Sequence, residues 1–95
     1  MDTDICDAIE NQFVIEFYYD GEIRVVEPHC YGVSSKGNEI VRVYQVGGYS
    51  SSGKMGWKLY DLSKISDLVI TSDTFDPENG YKRGDSAMSS IFCEL

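Results

Sequence analysis

Phe13-Val14-Ile15-Glu16-Phe17-Tyr18-Tyr19-Asp20-Gly21-Glu22-Ile23-Arg24-Val25-Val26-Glu27-Pro28 reads as two strands joined by a two-residue turn. The first run is rich in β-branched and aromatic residues. Alternation puts Phe13, Ile15, Phe17 and Tyr19 on one face and Val14, Glu16 and Tyr18 on the other. In the second run Ile23 and Val25 oppose Arg24 and Val26. Asp20-Gly21 is a strong hairpin signal, because both residues of the favoured turn must tolerate positive φ. Pro28 cannot donate to a central ladder, so it ends or bends the second strand. Residues 29–33 are expected to continue in a new direction.

Outward from this hairpin the pattern stays short and antiparallel. Upstream, residues 2–12 read as one helix, with Asp2 or Thr3 as cap and Ile5, Ala8, Ile9 and Phe13 as one apolar stripe. A helix this short is marginal alone and must dock onto a sheet. Downstream, residues 34–38 form a turn around Gly37, and residues 39–46 alternate Ile40, Arg42, Tyr44 and Val46 against Val41, Val43 and Gln45. Residues 47–56 hold four glycines and three serines and read as a flexible loop. Residues 57–60 form a short strand, 61–64 a single turn, and 65–71 a strand with Leu68 and Ile70 on one face. Residues 72–88 are polar, and residues 91–95 have the composition of a terminal edge strand. With loops rather than crossover helices between strands, the chain is expected to be mainly β. So few strands enclose a core only by curling. The expected architecture is therefore a small, strongly bent antiparallel barrel of SH3-like or Sm-like form, with the helix over one opening.

The chain has 95 residues, enough for one small domain with a thin core. A hydrophobic fraction of 42% is too high for disorder. No apolar run approaches a membrane span, and no export signal is expected. The formal charge of −8 argues against a general duplex-DNA binder, which needs a dense positive surface. Cys6, Cys30 and Cys93 are widely spaced, lack a Cys-x-x-Cys pair and have one histidine for company. They supply no zinc set and are expected to be reduced packing residues in a cytoplasmic protein; no metal or cofactor is expected.

Catalytic constellations are missing. His29 has Cys30 beside it in sequence, which points elsewhere on an extended segment, and there is no nucleophile elbow. The loop from Gly47 to Lys54 resembles a phosphate cradle but lacks the Walker spacing and a following helix, so a mobile hairpin loop is the better reading. Asp73, Asp76, Glu78 and Asp85 lack calcium-loop spacing and read as solvated charge. The cations are more informative. Arg24 and Arg42 sit mid-strand in apolar stretches, and Lys58 follows Trp57 in another. Such charges must reach solvent or meet a partner. If the strands neighbour one another, Arg24, Arg42, Lys58 and His29 converge on one face with Tyr44 and Tyr60, a site for a nucleotide or short single strand. Cross-strand pairing with Glu16, Glu22 and Glu27 is the competing reading.

The order of segments resembles a WYL domain over residues 5–71. It is carried by Phe17-Tyr18-Tyr19-Asp20-Gly21, by Arg24-Val25-Val26-Glu27-Pro28-His29 and by Trp57-Lys58-Leu59-Tyr60-Asp61-Leu62-Ser63-Lys64-Ile65. At the eponymous triplet the chain has Glu39-Ile40-Val41, and Lys58 stands where Arg is more usual. The resemblance implies an Sm-like barrel used as a sensor in transcriptional or phage-defence regulation, and a basic pocket at Arg24, His29, Lys58 and Lys64 with Tyr44 and Tyr60 nearby. The expected function is a non-enzymatic module sensing a nucleotide or short nucleic acid. The alternative is a protein-interaction adaptor or dimerising barrel.

Overall fold

The computed structural model describes residues 2–95. Asp2 caps helix α1 (Thr3–Asn11), its carboxylate accepting the N–H of Asp4 at 2.9 Å and of Ile5 at 3.3 Å. Gln12 ends the helix in the left-handed region (φ 57°), its N–H turned back to the carbonyls of Ala8 and Ile9. The strands are β1 (Phe13–Tyr19), β2 (Glu22–Val33), β3 (Glu39–Gly48), β4 (Gly56–Asp61), β5 (Ile65–Thr74) and β6 (Ser90–Glu94), with a single 3-10 turn, Leu62–Lys64, before β5. All pairings are antiparallel, in the order β4-β3-β2-β1-β5, with β6 added to β2. The β1–β2 turn has φ of 54° at Asp20 and 77° at Gly21, as the hairpin signal requires.

The expected strands are present, with longer bounds at β3, β4 and β5. β2 runs unbroken through Pro28, which neither ends the strand nor stops its pairing with β3. It pairs with β1 up to Val26 and with β6 from Cys30 onward. A bulge between Pro28 and Cys30 in the β2–β3 register takes up one extra residue. It shifts the alternation of faces: Val26 and Tyr31 enter the same core, while Cys30 joins a second cluster with Ile40 and Met88. In β5, two register shifts and a positive φ at Asp67 break the alternation. From Leu68 to Ile70 it holds: Leu68 packs on the core and Ile70 lies opposite inward-facing Ile15, so the two share one face as expected, with Ile70 left partly open on the end strand.

The sheet is covered on two sides. On its inner face Ile5, Ala8 and Ile9 of α1 meet Ile15, Phe17, Val26, Tyr31, Val41, Val43 and Tyr60, all buried. Each fully buried aliphatic side chain here contributes about 1.5–3 kcal/mol. β4 lies three strand spacings from β1, roughly 14 Å on a flat sheet. Yet the rings of Tyr60 and Tyr19 meet at 4.7 Å and those of Tyr60 and Phe17 at 5.1 Å, so the sheet curves over its inner face. No pairing joins the end strands β4 and β5, and the sheet is open.

On the outer face the segment after β5 packs back across β2 and β3. Met88 reaches Cys30, and the β6 backbone lies so close to Gly32 that a Cβ there would strike the Ser90 carbonyl. Of the polar residues 72–88, the first three extend β5 and residues 75–88 are thus an ordered cover. One cysteine expectation is overturned. Cys6 on α1 and Cys93 on β6 form a disulfide with Cα atoms 5.7 Å apart, and only Cys30 is a free, buried thiol. The 87-residue separation hides this pair in the sequence, because only the docking of α1 and β6 brings the sulfurs together. No helix among the described residues is long and apolar enough to cross a membrane.

Candidate functional site

Alternation along each strand decides where the cations point. Arg24 faces inward, with its guanidinium 5.6, 5.3 and 5.8 Å from the ring centres of Tyr19, Tyr49 and Tyr60. It donates to the Tyr19 carbonyl at 3.1 Å and to the Tyr60 hydroxyl at 3.4 Å. It is 5% exposed, its Nε has no partner, and no carboxylate among the described residues pairs with it. The Tyr60 hydroxyl in turn donates to buried Gln45, which holds the carbonyls of Gly47 and Tyr49. Lys58 is inward in register and ends in the loop, its ammonium donating to the hydroxyls of Ser50 at 3.1 Å and Ser52 at 3.2 Å. Lys64 closes the 3-10 turn beside Asp61 and is exposed.

Arg42, Tyr44 and His29 lie on the outer face. The expected convergence of Arg24, Arg42, Lys58 and His29 is therefore corrected: the strands neighbour one another as required, but their alternation and register send these residues to opposite sides. The competing reading of cross-strand pairing with Glu16, Glu22 and Glu27 also fails for Arg42. Its guanidinium grips Asp85, Nε to Oδ2 at 2.7 Å and a second nitrogen to Oδ1 at 3.3 Å. Asp85 is not solvated charge: its side chain is 8% exposed, and the hydrogen bond from Arg42 holds its carboxyl below the usual range.

His29 is fully buried in a ring cluster, 4.8 Å from Trp57, 5.2 Å from Phe75 and 5.0 Å from Tyr81. Its Nδ1–H donates to the Glu27 carbonyl at 2.8 Å, and its Nε2 accepts the Glu78 N–H at 3.1 Å. Both nitrogens are engaged in the neutral form, and burial lowers the pKa. His29 thus anchors the segment after β5 to the sheet. Beside it, burial and the neighbouring Glu78 carboxylate raise the Glu27 pKa to about 7, while burial pushes the Cys30 thiol to about 12.

Where the segment crosses β3 and β4 it leaves a cleft of about 400 Å³ lined by Arg42, Trp57, Gly80, Tyr81, Lys82, Arg83, Gly84, Asp85 and Ser86. Trp57 stands edge-on to Tyr44 at 5.3 Å and near-parallel to Tyr81 at 6.2 Å. The strap over the cleft, residues 80–86, is pinned at several points. Asp85 holds Arg42, and Glu94 takes the Gly84 N–H at 3.0 Å and Arg83 at 3.3 Å. The Tyr81 hydroxyl reaches the carbonyls of Leu95 and His29 at 3.3 and 3.4 Å. Arg42 and Tyr44 were read from the sequence as site residues; Trp57, Tyr81, Lys82 and Arg83 were not. The signal for the last two was Lys82-Arg83, the one adjacent basic pair in this acidic chain. Among the described residues no three His, Cys, Asp or Glu side chains converge to hold a metal. Compared with known families, curated proteins and solved structures, the chain matches no family model, no curated protein and no solved structure.

Proposed function

We propose that the chain is a non-enzymatic, WYL-like regulatory module that senses an anionic, ring-bearing ligand of the nucleotide class, held in the cleft on the outer face. The observation that carries this reading is the lining of that cleft. Three of the eight lysines and arginines of a chain of charge −8 gather there beside two aromatic rings. Rings supply a stacking surface and cations supply charge-assisted hydrogen bonds to phosphate. Catalysis has no support at the site: the His29 nitrogens are both occupied and the Cys30 thiol stays protonated. The accompanying architecture is an Sm-like, strongly bent barrel, an idea supported by the contact of Tyr19 with Tyr60 across the sheet.

Trp57 is the only tryptophan, so its fluorescence reports on the cleft. Titration with mononucleotides and short single-stranded DNA and RNA should give a saturable, salt-sensitive change. Lys82→Ala with Arg83→Ala should weaken it by about tenfold or more, while Arg24→Ala with Lys58→Ala, on the inner side, should leave it in place. Loss only in the second pair would move the site to the inner cluster. Silence with every probe would favour the adaptor reading, which has one observation of its own: Tyr18, Ile23, Val46 and Val69 are exposed on neighbouring strands. That reading predicts a dimer by sedimentation.

A further inference from the structure

We infer that the cleft takes one nucleotide carrying one or two phosphates rather than a longer strand, an inference that rests on the nucleotide reading above. Three features limit the ligand. The first is charge. Arg42 is spent on Asp85, two hydrogen bonds joining it to a carboxylate that is almost wholly buried. The cations left to a ligand are Lys82 and Arg83. Arg83 is 71% exposed and touches Glu94 by one contact at 3.3 Å, so it is free to turn toward an incoming anion. Two cations match a phosphate monoester of charge about −1.5 to −2.

The second is stacking. A base inserted between two rings needs about 7 Å, twice the optimal carbon–carbon separation. Trp57 and Tyr81 are 6.2 Å apart, centre to centre, and tilted by 28°, so they pack on each other and admit nothing between them. His29 lies against both rings and Tyr44 stands edge-on to Trp57, which leaves a surface for one base. Platforms for single strands instead string several rings along a continuous basic groove. The third is size. A cleft of about 400 Å³ lies at the small end of ligand sites.

The test uses the full oxidised chain and follows Trp57 fluorescence and heat of binding. The probes are a nucleoside, inorganic phosphate, the matching mono-, di- and triphosphates, a dinucleotide and a ten-nucleotide strand. The expected result is binding of the mono- and diphosphate, with the nucleoside weaker by about tenfold or more, as loss of charge-assisted bonds predicts. The ten-nucleotide strand should show the same salt dependence as the monophosphate and a gain no larger than its number of registers. Lys82→Ala with Arg83→Ala should bring the monophosphate down to the nucleoside. Affinity and salt slope that climb with strand length would overturn the single-nucleotide inference and leave the nucleotide reading standing. Failure of every probe to bind would overturn both.

Discussion

The two faces of the sheet are built on different principles. The inner face is closed by apolar contact: α1 lays Ile5, Ala8 and Ile9 on Phe17, Val26, Val41 and Val43, and its buried cation, Arg24, is caged by tyrosine rings. The outer face is closed by directional bonds: His29 to Glu78, Arg42 to Asp85, Glu94 to Gly84 and Arg83, around the small cluster of Cys30, Ile40 and Met88. Apolar burial is non-directional and supplies most of the stability. Hydrogen bonds and ion pairs add less free energy but fix orientation. The inner face accordingly makes the fold, and the outer face holds a strap in place and leaves a cleft under it.

The contrast is most sharply tested in the core. Phe17→Ala should cost about 3–5 kcal/mol, a large part of the roughly 5–15 kcal/mol of a whole domain, and should lower the urea midpoint steeply. The strap should melt in the same transition, since it has no core of its own. A strap that survived would mean that the outer face folds independently. Next is the disulfide, which links α1 on the inner side to β6, the strand that anchors the strap. Cys6→Ser with Cys93→Ser should cost about 2–4 kcal/mol and coincide in thermal melting with wild type reduced by a dithiol.

A smaller effect separates the faces. Gly32→Ala puts a Cβ against the Ser90 carbonyl and Met88, at a cost of about 1–3 kcal/mol. Hydrogen exchange should speed up in β6 and residues 80–89 more than in β1. Equal acceleration in both would tie the two faces into one unit.

The smallest effect depends on pH. A carboxyl whose folded pKa, about 7, exceeds its ordinary 4.5 stabilises the fold when protonated. For Glu27 that contribution is complete below pH 4.5 and is lost as pH rises through 7. Glu27→Gln keeps a neutral group in place. It should flatten the decline and be more stable than wild type at pH 8 by about 1–2 kcal/mol, with little difference at pH 4. An unchanged pH profile would remove Glu27 from the account of the outer face.

Local signals carried much of the fold. The Asp20-Gly21 hairpin, the capped helix and the alternation in β1 depend on neighbours in the chain, and each lies where its residues imply. The candidate site was less legible. Arg42 stood out as a charge in an apolar strand, but its partner Asp85 is 43 residues away. Tyr81, Lys82 and Arg83 sit in a polar stretch whose composition matches a solvated tail. The bulge beside Pro28 cannot be counted from alternation alone, and it decides which residues face the core.

The sequence by itself determined the mainly β class, the helix, the first hairpin and the rough limits of each strand, because turn chemistry, capping and side-chain period act over a few residues. Only the tertiary structure decided that Arg24 and Arg42 part to opposite faces, that Cys6 finds Cys93, and that residues 75–88 fold back over His29 to make a cleft. These outcomes depend on packing between segments far apart in the chain, where one bulge or one docked strand changes every neighbour that follows.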